Sequence, residues 1–219
     1  MKRNLIVSTI LNYINFIFIL IIGIISLVEN PKSIRMFTVE SNLLSGLASI
    51  IVAVFSTLIL AKKKNEIPLC VKVAKMATTT GVTLTFFTVV FYLGFVAVGE
   101  GYSYFTLFKG NNFFFHFLCP VIAIISFIFF EKGKDIKYKL TFFNISHVSC
   151  YIVFYITNVL THLKSDGTVD RKYDWYYFVI GGNWTIGIVA FLMLGITYLL
   201  GLLLWFLNRS FIKEKNLFE

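Results

Sequence analysis

Six long apolar stretches, each separated from the next by a short polar or charged segment, divide the chain at roughly 5–28, 39–61, 73–98, 113–130, 139–163 and 184–207. A helix needs about 20 apolar residues to cross hydrocarbon, and every stretch meets or approaches that length. The pattern predicts an all-α, polytopic helical bundle of about six transmembrane helices, with residues 1–219 as a single transmembrane domain. The third stretch is the least uniform. It opens with Lys72 and Lys75, which are expected to snorkel to an interface, and continues through several threonines.

The polar segments alternate in charge. The N-terminus, the segment 62–75, the segment 132–139 and the tail hold fourteen Lys and Arg, and the segments 29–37, 99–112 and 164–183 hold six. That asymmetry puts both termini on the cytoplasmic side. The later two outer segments are rich in aromatic residues, among them Tyr102, Tyr104, Tyr173, Trp175, Tyr176 and Tyr177, as suits headgroup depth.

Composition supports the same solvent. Hydrophobic residues make up 58% and charged residues only 14%, with a mean hydropathy of +0.81, whereas a soluble domain carries about a quarter charged residues. The net charge of +9 sits in short clusters between apolar stretches, so it reads as a topology signal and a contact for membrane lipids rather than a nucleic-acid surface. Cys70, Cys119 and Cys150 have no CxxC spacing and indicate neither a disulfide framework nor a thiolate metal site. The first apolar run is too long for a cleaved signal and reads as a retained helix. Abundant Phe, Ile, Asn and Lys are compatible with an AT-rich bacterial genome, and a multi-pass protein of a bacterial plasma membrane is the expectation.

Polar side chains inside the stretches need partners. Ser8, Asn12 and Asn15 fall on one helical stripe, and Thr85, Thr88 and Tyr92 on another; each stripe serves either interhelical hydrogen bonding or the lining of a polar cavity. Glu29, Glu40, Glu66, Glu100 and Glu131 all lie at stretch ends, so no membrane-embedded carboxylate is expected and a pump built on one is not supported. His116, His147 and His162 stand at different depths by helical rise, which argues against one metal ion holding all three. No metal and no cofactor is expected.

Candidate chemistry comes from two outer helix ends. Thr38 opens the second stretch and His116 the fourth, and a threonine hydroxyl becomes a nucleophile only beside a base such as histidine. Pro120, four residues after His116, removes a helical hydrogen bond and favours a kink there. Ser41 and Asn42, one turn from Thr38, are placed to bind substrate or donate to an oxyanion. The plainer readings are that Thr38 caps its helix and that His116 is an interfacial histidine bonded to a neighbour. Straight helices also place Thr38 about 36 Å above the inner boundary and His116 about 22 Å.

The runs Phe37-Thr38-x-x-Ser41-Asn42-Leu43-Leu44, Asn112-x-x-x-His116-x-x-x-Pro120 and Tyr173-Asp174-Trp175-Tyr176-Tyr177-Phe178 resemble motifs of the androgen-induced and androgen-dependent TFPI-regulating membrane proteins and their bacterial relatives. The likeness in order and spacing covers nearly the whole chain. The resemblance implies a six-helix hydrolase of fatty acid esters of hydroxy fatty acids, with Thr38 as nucleophile and His116 as general base. Asn112, Tyr92 and Trp175 join Ser41 and Asn42 as expected contacts of the lipid ester. The other expectation is a lipid or small-molecule binding or transport protein without catalysis. A polar path open to both sides would favour it, and a cavity closed inward would favour the hydrolase.

Overall fold

The computed structural model describes residues 2–176, 178–179 and 184–214; Tyr177 and Lys215 lie outside the described residues. Six helices are long and apolar enough to cross a membrane. They are α1 (Lys2–Glu29), α2 (Phe37–Leu60), α3 (Leu69–Gly99), α4 (Asn111–Phe130), α5 (Tyr138–Thr161) and α6 (Trp184–Glu214). The chain is 80% helical and has no strand among the described residues, so it is an all-α six-helix bundle.

Burial is inverted relative to a protein that folds in water. Apolar side chains such as Val28 and Phe191 are 77% exposed, whereas Asn12, Ser41, Asn42, Ser45, Ser49 and Lys75 are fully buried. Hydrocarbon outside makes no demand on the first set, and inside the bundle the second set finds partners. Asn12 Nδ2 donates to Ser126 Oγ at 3.0 Å and to Glu131 Oε1 at 2.9 Å, and Asn15 Nδ2 donates to Ser49 Oγ at 3.0 Å. The Ser8/Asn12/Asn15 stripe therefore bonds α1 to α2 and α4.

Two readings of the charged residues need correction. Lys75 does not reach an interface: it is 0% exposed and donates to Ser49 Oγ at 2.7 Å. Nor is Glu131 at an aqueous boundary, since it is 8% exposed and accepts from Asn12 and from Ser126 Oγ at 2.8 Å. Charge counting treats the end of an apolar run as the membrane surface. Here α4 stops short, level with Asn12, which stands about 15 Å along α1 from Lys2.

The chain that follows α4 folds back under the bundle. Asn208 Nδ2 donates to the carbonyls of Phe127 and Glu131, Trp205 Nε1 to that of Ile136 at 2.8 Å, and Lys72 pairs with Asp135 at 2.7 Å. Gly133 is required there, because a Cβ would collide with the Asn208 side-chain amide. These contacts tie the segment after α4 to α3 and α6 at the end of the bundle opposite Thr38.

Two π-helical turns interrupt the spans, at Val89–Leu93 in α3 and at Phe114–Leu118 in α4. The first inserts a residue and rotates the face beyond it. Thr85 is buried, Thr88 just before the turn is already exposed, and Tyr92 within it is 63% exposed, so Thr85, Thr88 and Tyr92 do not form one inward stripe. The first two turns of α5, Tyr138–Ile145, are 3-10 helix, which climbs faster per residue than an α-helix. His147 is thereby carried up to the start of α2, where its ring stacks on Phe37 with centroids 5.1 Å apart.

Candidate functional site at the outer ends of α2 and α4

Pro120 sets the geometry of α4. In the π-turn the Cys119 N–H donates to Phe114 O, five residues back. The corresponding partner for Phe115 O would be the amide of residue 120, and proline has none. The orphaned Phe115 carbonyl is instead bonded by Asn42 Nδ2 of α2 at 3.0 Å, and the same amide nitrogen donates to Thr38 O at 2.8 Å. One fully buried amide therefore holds the backbone of Thr38 and the residue before His116 to a common level. The difference in depth expected from straight, full-length helices is removed, because the inner end of α4 lies deep in the bundle.

Thr38 is not a helix cap. The cap position of α2 is Met36, which offers no side-chain bond, and Thr38 is the second helical residue. Tyr176 supplies the cap: its hydroxyl oxygen accepts from Phe37 N–H at 2.9 Å. Burial pushes the Tyr176 phenol above its ordinary range, so it stays neutral in that role. The Thr38 hydroxyl is half-buried and makes no hydrogen bond to a described residue.

His116 is oriented from the loop before α4. Its Nδ1 lies 2.9 Å from Leu107 O, a pure acceptor, so Nδ1 carries the proton and Nε2 keeps its lone pair. The ring is half-buried. An imidazole fixed in this tautomer is competent to take a proton from a hydroxyl.

The remaining expected contacts divide. Ser41 and Asn42 are 0% exposed and already engaged, Asn42 as above and Ser41 Oγ with Thr38 O and Thr85 Oγ1, both at 3.2 Å. Their role in this geometry is to position Thr38 and the π-turn. Asn112 is exposed at the first turn of α4, and Tyr92 faces outward from α3, away from the cross-link. Trp175 lies over the start of α2: its Nε1 donates to Tyr151 Oη at 3.2 Å and the Arg35 guanidinium sits 4.8 Å from its ring centre.

Sequence reading missed three contributors. Tyr151 Oη donates to Arg35 O at 2.8 Å. Buried Asp174 accepts from Tyr155 Oη and from the backbone N–H of Phe178 at 3.0 Å, which pins the aromatic segment against α5. His147 stands behind Ser41, its Nε2 3.9 Å from Glu40 Oε1. A lone acidic residue inside an aromatic run was the available signal for Asp174. Among the described residues no group of three His, Cys, Asp or Glu converges as metal ligands.

The fold is a bundle of six helices long and apolar enough to cross a membrane, consistent with a multi-pass membrane protein, and the Thr38 hydroxyl, without a hydrogen bond to a described residue, stands at one end of it. In comparisons with known proteins, no family model, no curated protein and no solved structure matches the chain.

Proposed function

We propose that this protein is a membrane-embedded hydrolase of ester-bearing lipids, with Thr38 as nucleophile and His116 as general base. The observation that carries the reading is the Asn42 amide, which bonds Thr38 O and Phe115 O at once and so gathers the hydroxyl-bearing and imidazole-bearing helix ends. The likeness of the Thr38 and His116 runs to lipid-hydrolase motifs agrees with it. Thr38 Oγ attacks the ester carbonyl carbon while its proton passes to His116 Nε2, and the Leu107 carbonyl holds the Nδ1–H of the resulting imidazolium. The positive end of the α2 dipole favours the developing oxyanion. Collapse expels the alcohol, which takes the proton from Nε2; water activated by the same nitrogen then releases the fatty acid and restores Thr38.

The place of Thr38 at the end of α2 fits a substrate that arrives laterally from the outer leaflet, and the segment that Asn208 and Trp205 bind at the opposite end weighs against through-passage of a lipid. The test is hydrolysis of a fatty acid ester of a hydroxy fatty acid by the full chain in detergent micelles. Thr38→Ala and His116→Ala should each lose about 10²–10⁴-fold in turnover at unchanged melting temperature. Wild-type turnover in either folded variant removes that residue from the mechanism, and a wild-type protein that cleaves no ester lipid overturns the reading.

A further inference from the structure

α2 and α3 run antiparallel with polar faces toward each other. Near the outer end Ser41 Oγ lies 3.2 Å from Thr85 Oγ1, and deeper in the bundle Lys75 Nζ donates to Ser49 Oγ at 2.7 Å. By this register Ser45, one turn from both Ser41 and Ser49, and Thr79, one turn from Lys75, fall between the two bonds. Both are 0% exposed, and neither hydroxyl has a hydrogen-bond partner among the described residues. Buried hydroxyls left unpaired weaken a fold, so their presence at consecutive seam positions calls for a role.

Titratable groups stand at both ends of this line. At the outer end the His147 side chain is 6% exposed, and neither ring nitrogen has a hydrogen bond to a described residue. Glu40 faces it from α2 with Nε2–Oε1 at 3.9 Å, and Gly81 faces it from α3. A Cβ at Gly81 would lie 2.7 Å from His147 Nδ1 and 3.7 Å from Ser41 Cβ, so the imidazole abuts the Ser41–Thr85 rung. At the inner end Lys75 donates to Ser49 Oγ and lies within the electrostatic influence of Glu131, a carboxylate held by Asn12 and Ser126. Lys72, one turn nearer the inner face, is already committed to Asp135.

We propose that the α2–α3 seam conducts protons through the bundle, from His147 past the Ser41/Thr85 and Ser45/Thr79 rungs to Lys75. Intramembrane ionisable residues that face a bundle interior commonly mark such paths. The Lys75 ammonium already fills the cationic position, so the mobile species is a proton, which the amine can bind or release without another cation entering. Each hydroxyl, with water bridging the orphaned rung, accepts a proton on one lone pair and passes on its own; nothing is oxidised and one positive charge moves per transfer.

The experiment uses the full chain in phospholipid vesicles loaded with potassium and the pH dye pyranine, with valinomycin imposing an inside-negative potential. Acidification should exceed that of protein-free vesicles. Thr79→Val, which keeps side-chain volume and removes an unpaired hydroxyl, should fold with an unchanged or higher melting temperature and lose at least about tenfold of the flux. Lys75→Met should lose as much, while Thr88→Val, on the exposed face of the same helix, should conduct like wild type. Vesicles with protein no faster than vesicles without it overturn the proposal. So does a folded Thr79→Val variant with wild-type flux, which would make the rung a packing feature and decides the matter even if Lys75→Met fails to fold.

Discussion

The outer and inner halves of the bundle treat polar groups in opposite ways. At the outer end, Asn42, Ser41 and Tyr176 spend their hydrogen bonds on backbone groups of α2 and α4, while Thr38 Oγ makes no bond to a described residue and the lone pair of His116 Nε2 stays available. In the inner half the charges themselves are buried, with Lys75 and Glu131 held by Ser49, Asn12 and Ser126 and sealed by the segment that Asn208 and Trp205 bind. Both ends tie down backbone carbonyls, Asn42 at one and Asn208 and Trp205 at the other, but only the first leaves the Thr38 hydroxyl without a described partner, while the second engages its charged side chains. The difference teaches that polar residues in an apolar bundle are spent where the local backbone cannot satisfy itself, or where a charge has no water.

The comparison breaks most sharply at Glu131. Glu131→Ala leaves Lys75 without the nearby negative charge that acts on it, Ser126 without its acceptor and Asn12 without one of its acceptors, and removing one partner of a buried ionic set costs about 3–5 kcal/mol. Unfolding in detergent micelles should show that loss, and Lys75→Met in the same chain should recover much of it, because the remaining group is then no longer an isolated charge. A Glu131→Ala variant within about 1 kcal/mol of wild type would mean the carboxylate is not a partner of the lysine, and the contrast between the halves would fail.

How much of this was legible in the sequence follows from where each signal lives. Apolar run length located all six helices, to within four residues at every end but the last, where α6 continues to Glu214, because hydrocarbon thickness imposes itself on every span. Thr38 and His116 were legible as residue types at helix starts. Their common level was not, since it depends on α4 ending at Asn12 and on a proline that acts through the carbonyl of Phe115 rather than through His116 alone. Lys75 and Glu131 were misread for a related reason: charge near the end of an apolar run normally reports the interface, and only tertiary contacts reveal that the chain after α4 turns back inward. The level of His147 was not legible either, because the 3-10 turns at the start of α5 climb faster per residue than an α-helix.

The outer half can be tested through the proline. Asn42→Ala should cost about 1–3 kcal/mol, the price of leaving a buried carbonyl unpaired, and should slow ester turnover more than it raises KM, because the reacting ends lose their common anchor. Pro120→Ala restores an amide that can donate to Phe115 O. In that background Asn42→Ala should cost less, with a coupling of about 1 kcal/mol in a double-mutant cycle of melting measurements. Additive losses would show that the proline and the amide act independently, and the explanation of the π-turn would fall.

The smallest effect sharpens the contrast by touching the outer end alone. Tyr176→Phe removes the hydroxyl that caps α2 at Phe37 N–H and should cost about 1 kcal/mol, the usual size of a lost helix cap. Burial raises the Tyr176 phenol, so the folded state holds its proton more tightly than the unfolded state does. That stabilisation is complete below the unfolded phenol value of about 10 and is lost as pH rises through the higher folded value. Wild type should therefore lose stability between about pH 9 and 11 more steeply than Tyr176→Phe, as read from unfolding midpoints across that range. Proton flux through the α2–α3 seam should not distinguish the two proteins, because the phenol lies on backbone amides at the helix start and not on the line from His147 to Lys75. Parallel pH curves would place the Tyr176 hydroxyl in water rather than on the helix, and would remove the cap from the account of how Thr38 is held.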